Sequence, residues 1–211
     1  MPATPHPLER FALHLGWLAP ACWIAVLAVF ALLWPQTASA PLGKLGAPDA
    51  AGAAWFNALG LMVPGGMLFG FTLGLERAAL RDGAGRALRL GTGMLMIATL
   101  AFAAQGVFPF DPSEPDGADS QRHAALLGLA LLGQIAAAVT LVAGLWRRPG
   151  WRALALAGLV LGAALAGLLV WPAQEFLPFF AARAGLAQRL VLALWFAWFP
   201  CAAAVALRRQ G

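Results

Sequence analysis

Polar residues interrupt the chain at intervals, and between them run six stretches of mainly apolar residues: Phe11–Trp34, Ala54–Leu75, Leu88–Phe108, His123–Trp146, Trp151–Trp171 and Gly185–Leu207. Each reaches the roughly 20 residues that a helix rising about 1.5 Å per residue needs to cross a hydrocarbon layer. The ten-residue alternating segments of a membrane β-barrel do not occur. Pro, Asp, Glu and Arg gather in the connections, where loops belong. The pattern predicts an all-α fold, with residues 1–211 forming a single transmembrane domain, a bundle of six helices.

Composition agrees with that pattern. Of 211 residues, 61% are hydrophobic and 11% charged. A soluble domain is about 45–50% apolar and about 25% charged, and its surface could not hide this excess. The net charge of +5 would point to nucleic acid in a soluble protein. Here the basic residues fall in short clusters between apolar runs, so nucleic acid is not an expected partner and membrane lipid is. One set of connections carries Arg10, then Arg77, Arg81, Arg86 and Arg89, then Arg147, Arg148 and Arg152, then Arg208 and Arg209. The other set carries Lys44, Arg122, Arg183 and Arg189 beside Asp49, Asp111, Glu114, Asp116, Asp119 and Glu175. The positive-inside rule predicts both termini in the cytoplasm and the acidic loops outside.

Thr37-Ala38-Ser39-Ala40 resembles a signal-peptidase site, but the long apolar run before it and Pro41 after it argue for a retained first helix. Trp34, Trp55 and Trp171 fall at outer boundaries, and Trp146 and Trp151 bracket an inner turn, as interfacial anchors would. Trp195 and Trp198 lie deeper in the sixth run. Gly66, Gly70 and Gly74 form a small-residue ridge on the second run, and Gly158, Gly162 and Ala166 another on the fifth. Such ridges let backbones approach closely, first within the bundle and alternatively across a homodimer. Pro20, Pro64 and Pro200 are expected to bend their helices.

Polar residues concentrate toward the outer third. Asn57, Gln105, Asp111, His123, Glu175, Gln188 and Arg189 map there, whereas the inner half holds little besides Thr72, Thr92 and His14. Polar and ionisable groups at membrane depth are costly and face a cavity or a partner. The segment Gly106-Val107-Phe108-Pro109-Phe110-Asp111 ends the third helix, and the return loop brings the chain to His123 at the start of the fourth. Gln134 lies about three turns beyond His123 on the same face. In the sixth run Gly185-Leu186-Ala187-Gln188-Arg189 sets a guanidinium about one turn below the boundary, with Asp111 and Glu175 as candidate partners. Trp195, seven residues past Gln188, offers an aromatic floor. The expectation is that Asp111, His123 and Arg189 converge on one outer pocket.

The GxFPxD run, the histidine that follows it, GLxQR in the sixth helix and Asn57-Ala58-Leu59-Gly60 in the second resemble an uncharacterised family of bacterial and archaeal membrane proteins. That family is a domain of unknown function with about six predicted helices. The resemblance implies that Phe108, Pro109, Asp111, His123 and Arg189 occupy positions typical of the family. With the topology, it implies a multi-pass protein of a bacterial cytoplasmic (inner) membrane. It implies no reaction.

Three functions fit these residues. The first is a pocket for a lipid head group or small amphipathic anion, lined by Asn57, Gln105, Asp111, His123, Gln134, Glu175, Gln188, Arg189 and Trp195. The second is a structural polar network locking the outer helix ends. The third is an enzyme in which Asp111 orients His123 as general base. The third is the least supported, because Ser39, Ser113 and Ser120 are loop residues and Cys22 and Cys201 lie inside apolar runs, leaving no nucleophile. No nucleotide-binding loop or HExxH helix occurs. Neither a cofactor nor a metal is expected.

Overall fold

Each apolar run becomes one helix, and the residues at its ends set its limits. The computed structural model describes residues 7–83, 85–170 and 183–210. Six helices are long and apolar enough to span a membrane, and among the described residues no strand occurs. They are α1 (Pro7–Leu33), α2 (Ala53–Arg81), α3 (Arg86–Ala104), α4 (Ala118–Leu145), α5 (Arg152–Val170) and α6 (Ala184–Arg208). Pro7 suits a first helical turn because its missing N–H would be unpaired there anyway. Within α2 the backbone widens into π turns over Phe56–Met62, just before Pro64, whose ring and absent N–H disturb the regular ladder.

Several boundaries differ from the apolar pattern: α1 starts at Pro7, α2 runs on to Arg81, and both ends of the α3–α4 connection shift. α3 stops at Ala104, four residues before Phe108, and continues as turns through Gly106 and Val107. Gly106 lies against α2 so closely that a Cβ would sit 2.6 Å from the Asn57 carbonyl oxygen. α4 begins at Ala118, so His123 stands inside the helix rather than at its start; Asp119 in the first turn complements the helix dipole. Trp171 and Glu175 lie outside the described residues.

Neighbouring helices pack in chain order, and α6 closes the arrangement between α5 and α1. Glycine sets two of the contacts. A Cβ at Gly74 would lie 2.8 Å from that of Ala12 on α1, and one at Gly65 would lie 2.8 Å from the backbone of Ala103 on α3. Gly70 faces Leu15 and Gly162 faces Ala138, whereas Gly66 meets nothing within 4 Å.

The inward face of α6 is aromatic. Trp195, Phe196, Trp198 and Phe199 are all buried. Trp195 stacks on Phe102 of α3 at 4.8 Å, Phe196 on Trp23 of α1 at 4.9 Å, and Phe199 meets Phe71 of α2 edge-on at 5.9 Å. Toward α4, the Trp195 indole donates to the Ala130 carbonyl (3.2 Å) while the Gln134 amide donates to the Trp195 carbonyl (3.0 Å). Gly158 of α5 lies beside the Trp198 indole nitrogen. Thus α6 touches every other helix.

The end of the bundle that carries both chain termini holds more polar structure than the sequence pattern predicts. Buried Glu9 on α1 pairs with Arg81 on α2 and accepts from the Gln210 amide at 2.7 Å. Asp82 accepts from the Trp151 indole (2.8 Å) and from Arg209 (3.1 Å), and Arg148 donates to the Asp82 and Gly83 carbonyls. Gly83 adopts φ +77° in this turn, a conformation that side chains disfavour. Trp151 is therefore buried and bonded, whereas Trp146 and Trp55 are exposed, as membrane anchors would be.

Candidate functional site

At the opposite end, the sequence motifs of α6 and of the α3–α4 connection each do a definite job. Gly185, Gln188 and Arg189 together clamp the loop between α1 and α2. The Arg189 guanidinium donates to the Ala40 carbonyl (2.7 Å), the Thr37 carbonyl (2.7 Å) and, within α6, the Gly185 carbonyl (2.8 Å). Gln188 Oε1 accepts from the Leu42 N–H at 2.7 Å. A Cβ at Gly185 would lie 2.3 Å from the Ser39 carbonyl oxygen, so only glycine lets the loop come this close. The clamp holds a one-turn helix, Leu42–Leu45, over the bundle.

The α3–α4 connection is fixed in a similar way. His123 Nδ1 lies 2.9 Å from the Phe108 carbonyl. A carbonyl only accepts, so Nδ1 carries the proton, and in the neutral ring Nε2 keeps its lone pair. Arg122 stacks over the Phe108 ring, 5.4 Å from its centre. The Asp111 carboxylate turns to Ser113, accepting from its hydroxyl (2.6 Å) and its backbone N–H (2.8 Å). The Ser113 hydroxyl and then the Ser113 N–H hold the Asp111 carboxyl below its ordinary pKa. Ser120 Oγ accepts from the Asp111 N–H at 3.0 Å, tying the loop back to α4.

Between these two braced loops lies a cavity of about 630 Å³. Its walls are mostly apolar, with Trp23, Phe56, Leu131, Leu169 and Val191 among them. Among the described residues five polar side chains reach it: Lys44 from the one-turn helix, Asn57 from the π turns of α2, Gln105 past the end of α3, His123 from α4 and Gln188 from α6. Two buried polar atoms among its lining residues have no hydrogen-bond partner, Trp23 Nε1 and Asn57 Oδ1. The Asn57 amide instead donates to the Gly46 carbonyl at 2.9 Å.

The structure thus brings Asn57, Gln105, His123 and Gln188 to one cavity and leaves other candidates elsewhere. Asp111 and Arg189 are not among its lining residues, and neither bonds to His123 or to the other. Gln134 and Trp195 bond each other's helices in the core beneath it. Sequence reasoning missed Trp23 and Lys44. Lys44 had a signal, being the single lysine of a chain whose other cations are arginine. Among the described residues, no three His, Cys, Asp or Glu side chains come together as a metal site would require.

Six membrane-length helices without strands among the described residues make this an all-helical multi-pass membrane protein. The chain belongs to the family described as "Protein of unknown function (DUF998)", whose model matches residues 17–205. No curated protein and no solved structure matches it.

Proposed function

We propose that this protein binds a small amphipathic ligand, a lipid head group or an amphipathic anion, in the cavity beneath the α1–α2 loop. The observation that carries the reading is the make-up of that cavity. Its volume of about 630 Å³ falls in the range typical of ligand sites, and its few polar groups are set in apolar walls. Among the described residues that line it, Lys44 is the cation and there is no carboxylate, which favours an anionic head. Trp23 Nε1 and Asn57 Oδ1 are buried without partners, and unpaired buried polar atoms are costly unless a ligand or water answers them. The His123 Nε2 lone pair adds an acceptor. Under the positive-inside rule the cavity opens on the outer side of a bacterial cytoplasmic membrane, with both termini inside.

Arg189 and Asp111 take a structural part in this reading. Among the described residues, Arg189 donates to three backbone carbonyls, and Asp111 accepts from Ser113 through Oδ1. His123 donates to Phe108 and does not pair with Asp111, so no general-base dyad is assembled.

Mass spectrometry of the purified protein tests the proposal. The wild type is expected to carry an anionic amphipathic species. Leu131→Trp, which fills the cavity, should release it, and Lys44→Gln should weaken its retention by about tenfold, the loss of one charge-assisted contact. An unchanged number of bound anionic amphiphiles per chain in both variants would overturn the reading.

A further inference from the structure

A second recess lies at the opposite end of the molecule, where α4 turns into α5. This groove of about 410 Å³ is lined by Val142, Ala143, Trp146, Arg147 and Leu159. Three of these residues are aliphatic and one, Arg147, is cationic. Trp146 is 50% exposed, with its ring at the groove edge. Arg147 is exposed and has no ion-pair or hydrogen-bond partner among the described residues. Arg152 spends only Nε, on the Trp146 carbonyl at 3.2 Å, so its terminal nitrogens stay free beside the same tryptophan. The carboxylate of the adjoining α2–α3 turn, Asp82, is already held by Trp151 and Arg209, and Arg148 is tied to that turn's carbonyls. Two exposed guanidinium groups therefore stand at this turn without a counter-charge among the described residues.

We infer that this groove binds an anionic glycerophospholipid. The phosphate sits between Arg147 and Arg152, whose planar donors suit phosphate oxygens. The glycerol and ester region lies along Trp146, an amphipathic ring at the depth where such rings settle. One acyl chain follows Val142 and Leu159. A zwitterionic lipid has the same phosphate but brings an ammonium against two arginines, so the site selects for net negative charge. Nothing in the site depends on the cavity at the other end.

Native mass spectrometry in detergent tests this, with dioleoyl-phosphatidylglycerol and dioleoyl-phosphatidylcholine as paired probes. Each arginine near an anionic surface is worth about fivefold in binding. The double variant Arg147→Gln/Arg152→Gln should therefore lower phosphatidylglycerol occupancy about 25-fold at the two-charge limit, and leave phosphatidylcholine unchanged. Val142→Trp fills the groove and keeps every charge, and it should also abolish the preference. Glycerol phosphate in excess should not displace the lipid, because it lacks the chain. The control Arg86→Gln/Arg89→Gln removes two exposed arginines from the same end of α3 and should have little effect. An equal loss in the control, an unchanged adduct in Val142→Trp, or displacement by glycerol phosphate would overturn the site. Leu131→Trp in the other cavity should leave phosphatidylglycerol bound, which keeps this result separate from that of the proposed function.

Discussion

Arg189 shows how an ionisable residue inside an apolar helix can serve shape. Its three hydrogen bonds among the described residues all end on backbone carbonyls, two of them in the α1–α2 loop. A lysine keeps the charge but loses the planar fork that reaches several carbonyls at once. Arg189→Lys is expected to cost about 1–3 kcal/mol of stability, read as a lower melting temperature in detergent. Asp111 makes a pH-dependent contribution of definite sign. Its carboxyl is held below the ordinary value by Ser113, so its brace is complete above the unfolded value and is lost as pH falls through the lower folded one. The Ser113 amide resonance, followed by NMR, should therefore titrate below the ordinary carboxylate range, and in Asp111→Ala it should not titrate there. At this scale the sequence marked Arg189 and Asp111 as special but did not foresee their contacts with Thr37, Ala40 and Ser113. Short backbone contacts, such as Arg189 to Thr37, join residues far apart in the chain and leave no local pattern.

Helices were legible where apolar runs are long, and their ends were less so. The start of α4 at Ala118 was hidden because its first turn is polar and reads as loop, although Gly117 and Asp119 carry the capping signals. The π turns of α2 had no signal beyond Pro64. Small-residue ridges were visible, but which glycine meets which helix depends on rotation about the axis. That dependence gives a paired test. Gly65 and Gly66 are neighbours in sequence, yet Gly65 abuts the backbone of Ala103 and Gly66 faces open space. Gly65→Leu is expected to destabilise by about 1–3 kcal/mol through overpacking of α2 against α3. Gly66→Leu should leave the melting temperature unchanged or slightly raised, since leucine is the better helix former.

Across the whole molecule, the two ends are built differently. The terminal end is locked by Glu9, Arg81 and Gln210 and by the Asp82 cluster, while the other end is braced mainly through backbone carbonyls around a cavity. The sequence disclosed the arginine clusters and not these locks, because Glu9 and Asp82 stand singly at helix ends and read as loop charges. Cysteine labelling tests the orientation, after Cys22 and Cys201 are replaced. Ser113→Cys should react only from outside and Gly85→Cys only from inside, with outside labelling of Gly85→Cys overturning the topology.

The position of α6 carries a consequence for biogenesis. A ribosome adds about 5–20 residues per second, so α1 to α5 reach the membrane well before the helix that touches all of them. Until then Phe102, Phe71 and Trp23 lack the rings that cover them, and Gln134 lacks the Trp195 carbonyl. Those faces stay uncovered until the final helix docks between α5 and α1. Slowing translation just before Gly185 should lengthen that interval and expose the newborn chain to membrane proteases for longer.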